Sequence, residues 1–168
     1  KSFYVPAQYK TIADAIKAAS KHGDKVVVGA GTYRTHSLDF NGKAITVSSE
    51  HPDDPDCVAK TVIDCAQLGR AFIFKTGEGR DSVVDGFTIK NGYAVADPCA
   101  AADTGGTGAG GEDGYGGAVA CFGGSSPTLS NLVIQDCVAR GRNGENGSFV
   151  YPAFPALAAP AVPACSSR

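Results

Sequence analysis

An internal repeat is the feature that most restricts how this chain can fold. Residues 84–91 (VDGFTIKN) align with residues 129–136 (LSNLVIQD), 45 positions further along the chain. Their apolar residues coincide in three pairs: Val84 with Leu129, Phe87 with Leu132, and Ile89 with Ile134. Both segments are short and have no helical period, which is typical of strands. A unit that recurs and cannot bury its apolar face alone predicts stacked strands, as in a β-solenoid.

The two copies are separated by a glycine-rich stretch, densest over residues 103–117, which predicts a long loop over about residues 94–117. Without that loop the spacing falls to roughly 20–25 residues, the length of one solenoid coil. Other short apolar runs bounded by turn residues fit the same scheme: 25–28, 44–48, 61–64, 71–74 and 118–121. The sequence therefore predicts an all-β fold, a right-handed parallel β-helix.

One segment before these strands has a helical period. Its apolar residues follow an i, i+3, i+4, i+7 pattern, at Ile12, Ala15, Ile16 and Ala19. Thr11 is in position to cap the N-terminus and Gly23 to end the helix. We therefore predict a helix over about residues 11–22 that covers the open end of the first coil. Residues 51–56 contain two prolines, which favours a solvated corner loop over a calcium site.

The last part of the chain has a different character. Residues 148–168 are rich in alanine and proline, with prolines at 152, 155, 160 and 163. Proline cannot donate to a sheet, so a central strand is excluded and an extended strap or linker is predicted. The predicted organisation is a parallel β-helix with its cap over 1–147, followed by a Pro/Ala-rich tail over 148–168.

Charge and cysteine content bear on location and partners. The net charge of −2 and the pI of about 5.9 argue against nucleic acid, and no apolar run is long enough for membrane insertion. Six cysteines predict three disulfides in an oxidising compartment: Cys57, Cys65, Cys99, Cys121, Cys137 and Cys165. Fifteen pairings are possible; Cys57 with Cys65 is one, and Cys165 would staple the tail to the solenoid. The sequon at Asn146 is an N-glycosylation candidate, so an extracellular or cell-surface protein is predicted.

No catalytic constellation, metal site or cofactor is predicted. The three histidines (His22, His36 and His51) are scattered, and three aspartates at strand ends are predicted to cap turns: Asp64, Asp85 and Asp136. Tyr93 and Tyr115 flank the glycine-rich loop. Because aromatic rings cover sugar faces well, these two tyrosines are the predicted binding residues.

Two stretches carry a resemblance to a known superfamily. YKTIADAI at 9–16, followed by GTYR at 31–34, resembles the opening of pectin methylesterases in the pectin-lyase-like superfamily of right-handed parallel β-helices. DGFTIKNG at 85–92 and GGAV at 116–119 are similar to right-handed β-helix repeats and to polymorphic outer-membrane proteins. The resemblance implies the fold but not an activity, because the superfamily includes enzymes, adhesins and structural modules.

Taken together, these patterns predict a non-catalytic extracellular β-helix module with a structural or adhesive role in a cell-surface or wall assembly. Its partners would be other subunits of that assembly, or polysaccharide. One alternative is a fragment of a carbohydrate-active enzyme, although the methylesterase motifs are absent and Gln135-Asp136 is the nearest string. The other alternative is a polysaccharide-binding module.

Overall fold

The computed structural model describes residues 1–95 and 116–140. Within these ranges the chain consists mainly of short strands, which confirms the all-β prediction, together with helices α1 (Ile12–Ala18) and α2 (Pro55–Lys60). The strands are β1 (Ser2–Val5), β2 (Lys25–Val28), β3 (Gly31–Arg34), β4 (Leu38–Asp39), β5 (Thr46–Ser49), β6 (Thr61–Asp64), β7 (Phe72–Phe74), β8 (Val83–Asp85), β9 (Thr88–Lys90), β10 (Tyr93–Val95), β11 (Val119–Cys121), β12 (Thr128–Ser130), β13 (Val133–Gln135) and β14 (Val138–Arg140).

All the strand pairs are parallel and build four open sheets. The first sheet has the order β1-β2-β5-β8-β12, the second β3-β6-β9-β13, and the third β4-β7-β11, while β10 pairs with β14. The chain visits the first, second and third sheets in turn and then returns to the first. Each such passage is called a circuit below.

The internal repeat corresponds to one circuit. Leu129 pairs with Val84 and Ile134 with Ile89, so the two copies lie side by side in the sheets. A uniform period of 20–25 residues is wrong, however. Lys25 pairs with Thr46, whereas Thr46 pairs with Val83, because the second circuit also carries helix α2 at its corner.

The core consists of side chains stacked in register from one circuit to the next. Val26, Val47 and Val84 form one such ladder, and none of the three has measurable exposure. Four phenylalanines fill the space between the sheets: Phe40, Phe72, Phe74 and Phe87. The Phe40 and Phe74 rings meet edge to face at 5.0 Å. Each such buried side chain contributes about 1.5–3 kcal/mol to folding, so this interior is the main source of stability.

Helix α1 covers the first circuit, packing on β1, β2 and β4 through Ile12, Ala15 and Ile16. The Thr11 side chain accepts a hydrogen bond from the Asp14 N–H at 3.1 Å, as predicted for an N-cap. The helix ends at Ala18, short of the predicted residue 22, and Gly23 has its positive φ of 80° in the turn before β2.

A lysine from a neighbouring part of the fold holds the end of this helix. The Lys43 ammonium donates to the carbonyl oxygens of Ile16 at 2.6 Å and Ala19 at 2.9 Å. Just beyond, the Asp24 carboxylate accepts from the N–H groups of Ser20 and Lys21. A cation at the negative end of the helix dipole, and an acceptor for the turning chain, explain why the helix stops here.

The corner after β5 differs from its prediction. Residues 51–56 were expected to form a loop, but Pro55–Lys60 forms α2. The Asp54 side chain accepts a hydrogen bond from the Asp56 N–H at 3.0 Å, and Pro55 occupies the first turn. Proline is favourable there because its fixed φ suits a helix and its missing N–H is not needed. Val58 buries the inner side of α2.

Several predicted segments lie outside the described residues: most of the glycine-rich loop, the boundary at 147/148, and the tail over 148–168. Where that loop was expected to begin, Tyr93–Val95 forms β10. In the part of the chain that the structure describes, no helix is long and apolar enough to cross a membrane.

Candidate interaction surfaces

The last circuit leaves an apolar surface uncovered by the described residues. Leu129 stacks on Val84 and Ile134 on Ile89, yet these two end residues are 42% and 54% exposed. Cys121, in register with the buried Phe74, is likewise exposed. Together with Leu132, which packs partly against the core, these side chains form what we call the end face: Cys121, Leu129, Leu132 and Ile134.

The backbone at this end is also unpaired on one side. The N–H groups of Thr128 and Val133 bond back to the preceding circuit. Because successive residues of a parallel strand point to alternate neighbours, those of Leu129 and Ile134 point away from the stack. Among the described strands, β12 and β13 are therefore edge strands, and no described strand pairs with the outward backbone groups of Leu129 and Ile134.

A buried carboxylate joins three consecutive corners of the fold. Glu78 is 2% exposed and accepts from the N–H groups of Gly42 and Thr76, both at 2.9 Å, and from the Ser125 hydroxyl at 2.8 Å. Burial alone would raise its pKa, but the hydrogen bonds outweigh burial and lower the pKa to about 2. Glu78 is therefore an ionised brace rather than a proton donor.

Two of the three predicted turn aspartates bond across turns. Asp64 accepts from the Ala66 N–H and the Asn91 amide, both at 2.9 Å, and chiefly the Asn91 bond lowers its pKa. Asp85 accepts from the Ser130 hydroxyl and the Asn131 amide. Asp136 occupies a turn with a positive φ of 51°. Their positions agree with the turn role predicted from the sequence.

An open groove borders the corner before α2. It has a volume of about 780 Å³, is open to solvent, and is lined by Lys25, Glu50, His51, Pro52, Asp53 and Asp54. A smaller pocket of about 240 Å³ shares Pro52 and Asp53 with it and reaches Val58, Leu132 and Val133. We call the two together the corner cleft. Its polar side carries four ionisable acidic or basic side chains besides His51, and its other side is apolar.

A glycine brings the walls of this cleft close together. Gly86 has a φ of 78°, and a Cβ there would lie 2.4 Å from the Ser49 hydroxyl and 2.5 Å from the Pro52 Cα. The turn between β8 and β9 can therefore pass beneath the corner only as glycine. The Asp-Gly pair at 85–86 is thus required by both φ and space.

Of the two predicted binding tyrosines, the structure describes one, Tyr93. Tyr93 lies in β10, is partly buried, and pairs with Val138 in the small fourth sheet. Tyr115 lies outside the described residues. Tyr33 serves the framework, since its hydroxyl donates to the Gly29 carbonyl at 2.8 Å and its pKa is raised by burial and by Glu50.

The cysteines differ in their surroundings. Four are free thiols here: Cys57, Cys65, Cys121 and Cys137. Burial raises the pKa of Cys65 to about 12, which makes its thiol unreactive. Burial, with a smaller effect of Glu78, also raises the pKa of Cys121, although this residue is exposed. Cys99, Cys165 and the sequon residue Asn146 lie outside the described residues, so the three disulfides and the glycosylation stay predictions.

Residues 1–95 and 116–140 contain no group of three or more His, Cys, Asp or Glu side chains that could hold a metal ion. His22 is instead 3.8 Å from the exposed Asp81, and His36 contacts the Ser37 hydroxyl. His51 lines the corner cleft.

Sequence reasoning missed Glu78 and Lys43, two charged residues that join distant parts of the chain. Glu78 stands between two glycines, Gly77 and Gly79, in a turn. An isolated acid in a glycine turn is a weak signal of an N–H-binding carboxylate. Lys43 carries no such signal, because its partners lie on a helix more than twenty residues earlier.

No protein-family model, no curated protein and no solved structure matches this chain significantly.

Proposed function

We propose that this chain is a right-handed parallel β-helix module of the extracellular space, non-catalytic, with a structural or adhesive role in a cell-surface or wall assembly. Parallel sheets visited in a fixed order support the β-helix. Crossovers between parallel strands are right-handed in nearly all proteins, which supports the handedness. The proposed kinship with the pectin-lyase-like superfamily rests on the sequence motifs alone.

The proposal rests mainly on the role of the Glu78 and Asp64 carboxylates, which accept hydrogen bonds within the fold. General acid–base catalysis needs a group with a pKa near the working pH and access to substrate. Glu78 has a pKa of about 2, and Asp64 a lowered one, since each accepts several hydrogen bonds from neighbouring turns. These acids stabilise the framework, which favours a structural part over an enzyme.

The surfaces available for partners agree with an adhesive role. The corner cleft offers carboxylates, a lysine and a histidine on a support that includes β2, α2 and β13. Hydroxyl-rich polysaccharide and the polar surface of another subunit both match that chemistry. We infer that the corner cleft is a contact region, and Tyr93 and Tyr115 stay predicted binding residues.

The test combines binding with turnover. Purified chain is mixed with insoluble wall material rich in highly methyl-esterified, largely uncharged pectin, and the pellet is assayed for protein while the supernatant is assayed for methanol and unsaturated uronide. We expect retention of the protein and no release of either product. A double variant in the cleft, Glu50→Gln with Asp53→Asn, should lose most of the retention, whereas the exposed control Asp81→Asn should keep it.

The alternatives predict different results. Release of methanol or unsaturated uronide above the buffer blank would overturn the proposal in favour of a carbohydrate-active enzyme. Selective binding of one glycan on an array, with no binding to wall protein, would instead identify a polysaccharide-binding module. The polar lining of the corner cleft is the observation that keeps this second candidate open.

A further inference from the structure

We propose that the corner cleft binds a segment of a partner protein in which a lysine or arginine side chain stands next to an apolar one. The smaller pocket of the cleft takes the apolar side chain, and the acidic side takes the cation. The partner's chemistry is inferred on the basis of the proposed function, in which this cleft is a contact region.

The smaller pocket has the size and the walls of a site for one apolar side chain. Its volume of about 240 Å³ is below the roughly 300 Å³ at which sites for small molecules begin. Val133, in its wall, is 43% exposed, so covering it with another apolar group is favourable. Sugar hydroxyls need polar partners that apolar walls do not offer. Five apolar residues line the pocket: Pro52, Pro55, Val58, Leu132 and Val133.

The acidic side carries three exposed carboxylates that the fold leaves without a counter-charge. In residues 1–95 and 116–140, no basic side chain forms an ion pair with Glu50, Asp53 or Asp54. Of the residues that line the groove, only Lys25 is a base, so the formal charge is −2 with His51 neutral. A partner that covers these acids must bring a cation, because a carboxylate covered without one is costly.

The two parts of the cleft are contiguous, since Pro52 and Asp53 line both. The cation and the apolar group must therefore be near neighbours on the partner. In an extended segment, side chains two positions apart lie on the same face, about 7 Å from each other. A lysine or arginine one or two positions from a residue such as leucine meets this requirement. An uncharged or anionic polysaccharide offers no cation, which favours a protein partner.

The cleft is held in shape by bonds of its own walls. The Thr61 hydroxyl donates to the Cys57 carbonyl and the Thr88 hydroxyl to the Val58 carbonyl, both at 2.9 Å, so that α2 is fixed to β6 and β9. Because these walls are already ordered, a partner segment loses little of its binding energy to arranging them.

The first experiment is a peptide array probed with the labelled full chain. Each spot carries a glycine- and serine-based peptide with two variable neighbouring positions, the first lysine, serine or glutamate and the second leucine or serine. We expect lysine–leucine spots to retain at least about tenfold more protein than lysine–serine or glutamate–leucine spots. Equal retention on lysine–leucine and glutamate–leucine spots, or retention on no spot, would overturn the proposal.

Two double variants with the same change of charge locate the binding. Glu50→Gln with Asp53→Asn removes two carboxylates from the cleft and should abolish the preference for lysine. Asp81→Asn with Asp136→Asn removes two exposed carboxylates that do not line the cleft and should keep it. Asparagine suits the positive φ of residue 136. An equal loss in both variants would mean attraction to overall charge and would contradict a site in the cleft.

A third variant tests the apolar part separately. Val133→Thr keeps the shape and strand preference of the side chain but places a hydroxyl in the pocket wall. The ratio of leucine to serine spots should fall at least about threefold, with the lysine preference unchanged. An unchanged ratio would overturn the assignment of the apolar side chain to this pocket.

The same proteins distinguish this inference from the proposed function. Retention on wall polysaccharide freed of protein, without a lysine–leucine preference on the array, would identify polysaccharide as the occupant and overturn the protein partner alone. Loss of both kinds of binding would overturn the adhesive role as well.

Discussion

The two ends of the sheet stack, built from the same ladders, differ in how they are finished. At the first end Phe3 stacks below Val26 and is 4% exposed, because helix α1 lies over it. At the other end Leu129 closes the same ladder and is 42% exposed. Each inner circuit is covered on two sides by its neighbours. A residue in the first or last circuit packs against only one neighbouring circuit, and its other side must be covered by a separate element such as helix α1. The burial of a ladder position therefore depends on its place in the stack.

The capped end also shows what a cover requires beyond apolar contact. Helix α1 brings Ile12, Ala15 and Ile16 to the first circuit, and its last carbonyls are satisfied by Lys43 from the neighbouring connection. A cover therefore needs an apolar side, satisfied backbone groups and an anchor.

The largest effect is expected from a matched pair in one ladder. Ile89→Ala should lower the free energy of unfolding by about 3–4 kcal/mol, because it leaves a cavity between two circuits. Ile134→Ala should lower the free energy of unfolding by only about 1–2 kcal/mol, since a described circuit packs on only one side of Ile134. Urea denaturation of both variants measures the difference. Equal losses would show that the two positions are equally packed and would remove the contrast.

Acid should weaken the brace that ties the last circuit to the earlier ones. The pKa of Glu78 is about 2 in the fold and near 4.5 when unfolded, so its contribution is complete above pH 4.5 and is lost as the pH falls toward 2. At pH 7, Glu78→Gln should lower the free energy of unfolding by roughly 1–3 kcal/mol. Between pH 4.5 and pH 2, the stability of this variant should fall less steeply than that of the wild type.

The exposed acid Asp81 supplies the control for this prediction. Asp81→Asn removes a carboxylate whose side chain is 76% exposed, so it should leave both stability and its pH dependence nearly unchanged. Thermal unfolding from pH 2 to pH 7 compares the three proteins. A Glu78→Gln variant with the wild-type pH profile would contradict the assignment of Glu78 as the brace.

A smaller effect is expected from loosening the capped end. Lys43→Met keeps the aliphatic stem but removes the ammonium that bonds the Ile16 and Ala19 carbonyls, and should cost about 1–2 kcal/mol. Hydrogen exchange should rise in α1 and leave β12 and β13 unchanged. Lys25→Met, on an exposed strand residue, is the control. Faster exchange at both ends alike would show that the two ends are not independent.

The smallest effect is expected in the turns. Asn91 and Asn131 occupy equivalent turns with φ of 54° and 48°, and their amides bond Asp64 and Asp85. Asn91→Ala should cost about 1–2 kcal/mol, and Asn131→Ala, at the uncovered end, less than about 1 kcal/mol. Asn91→Gly, which tolerates the positive φ, should recover part of the loss. Chemical denaturation measures all three, and no recovery would mean that the hydrogen bond alone matters.

Local patterns made part of the fold predictable. The period of Ile12, Ala15 and Ile16 located helix α1 and its buried side, and the Val84/Leu129 alignment anticipated a pairing that the structure confirms. The predicted C-terminal limit of helix α1 was wrong because Lys43, from a later part of the chain, bonds the carbonyl groups at the end of this helix. Helix α2 was missed because two prolines resembled a loop, although one of them occupies the position where proline favours a helix.

The candidate site was less predictable than the fold. Tyr93 was predicted as a binding residue from its ring and its position beside the glycine-rich loop; it lies partly buried in β10, and its binding role stays a prediction. The corner cleft joins Lys25 to residues 50–54 only because β2 and β5 are neighbours in the first sheet. No spacing along the sequence encodes that juxtaposition.

By itself, the sequence determined the strand-forming segments, the repeat of 45 positions, the capping helix and the turn role of Asp64 and Asp85, because these depend on neighbours in the chain or on identical units that must stack. The tertiary structure alone decided that Glu78 would be a buried brace, that Lys43 would bond the end of a helix, and that Leu129 and Ile134 would lie at an edge that the described residues leave exposed. Hydrogen bonds and burial of this kind join residues from different circuits, and which circuits meet is settled only when the sheets assemble.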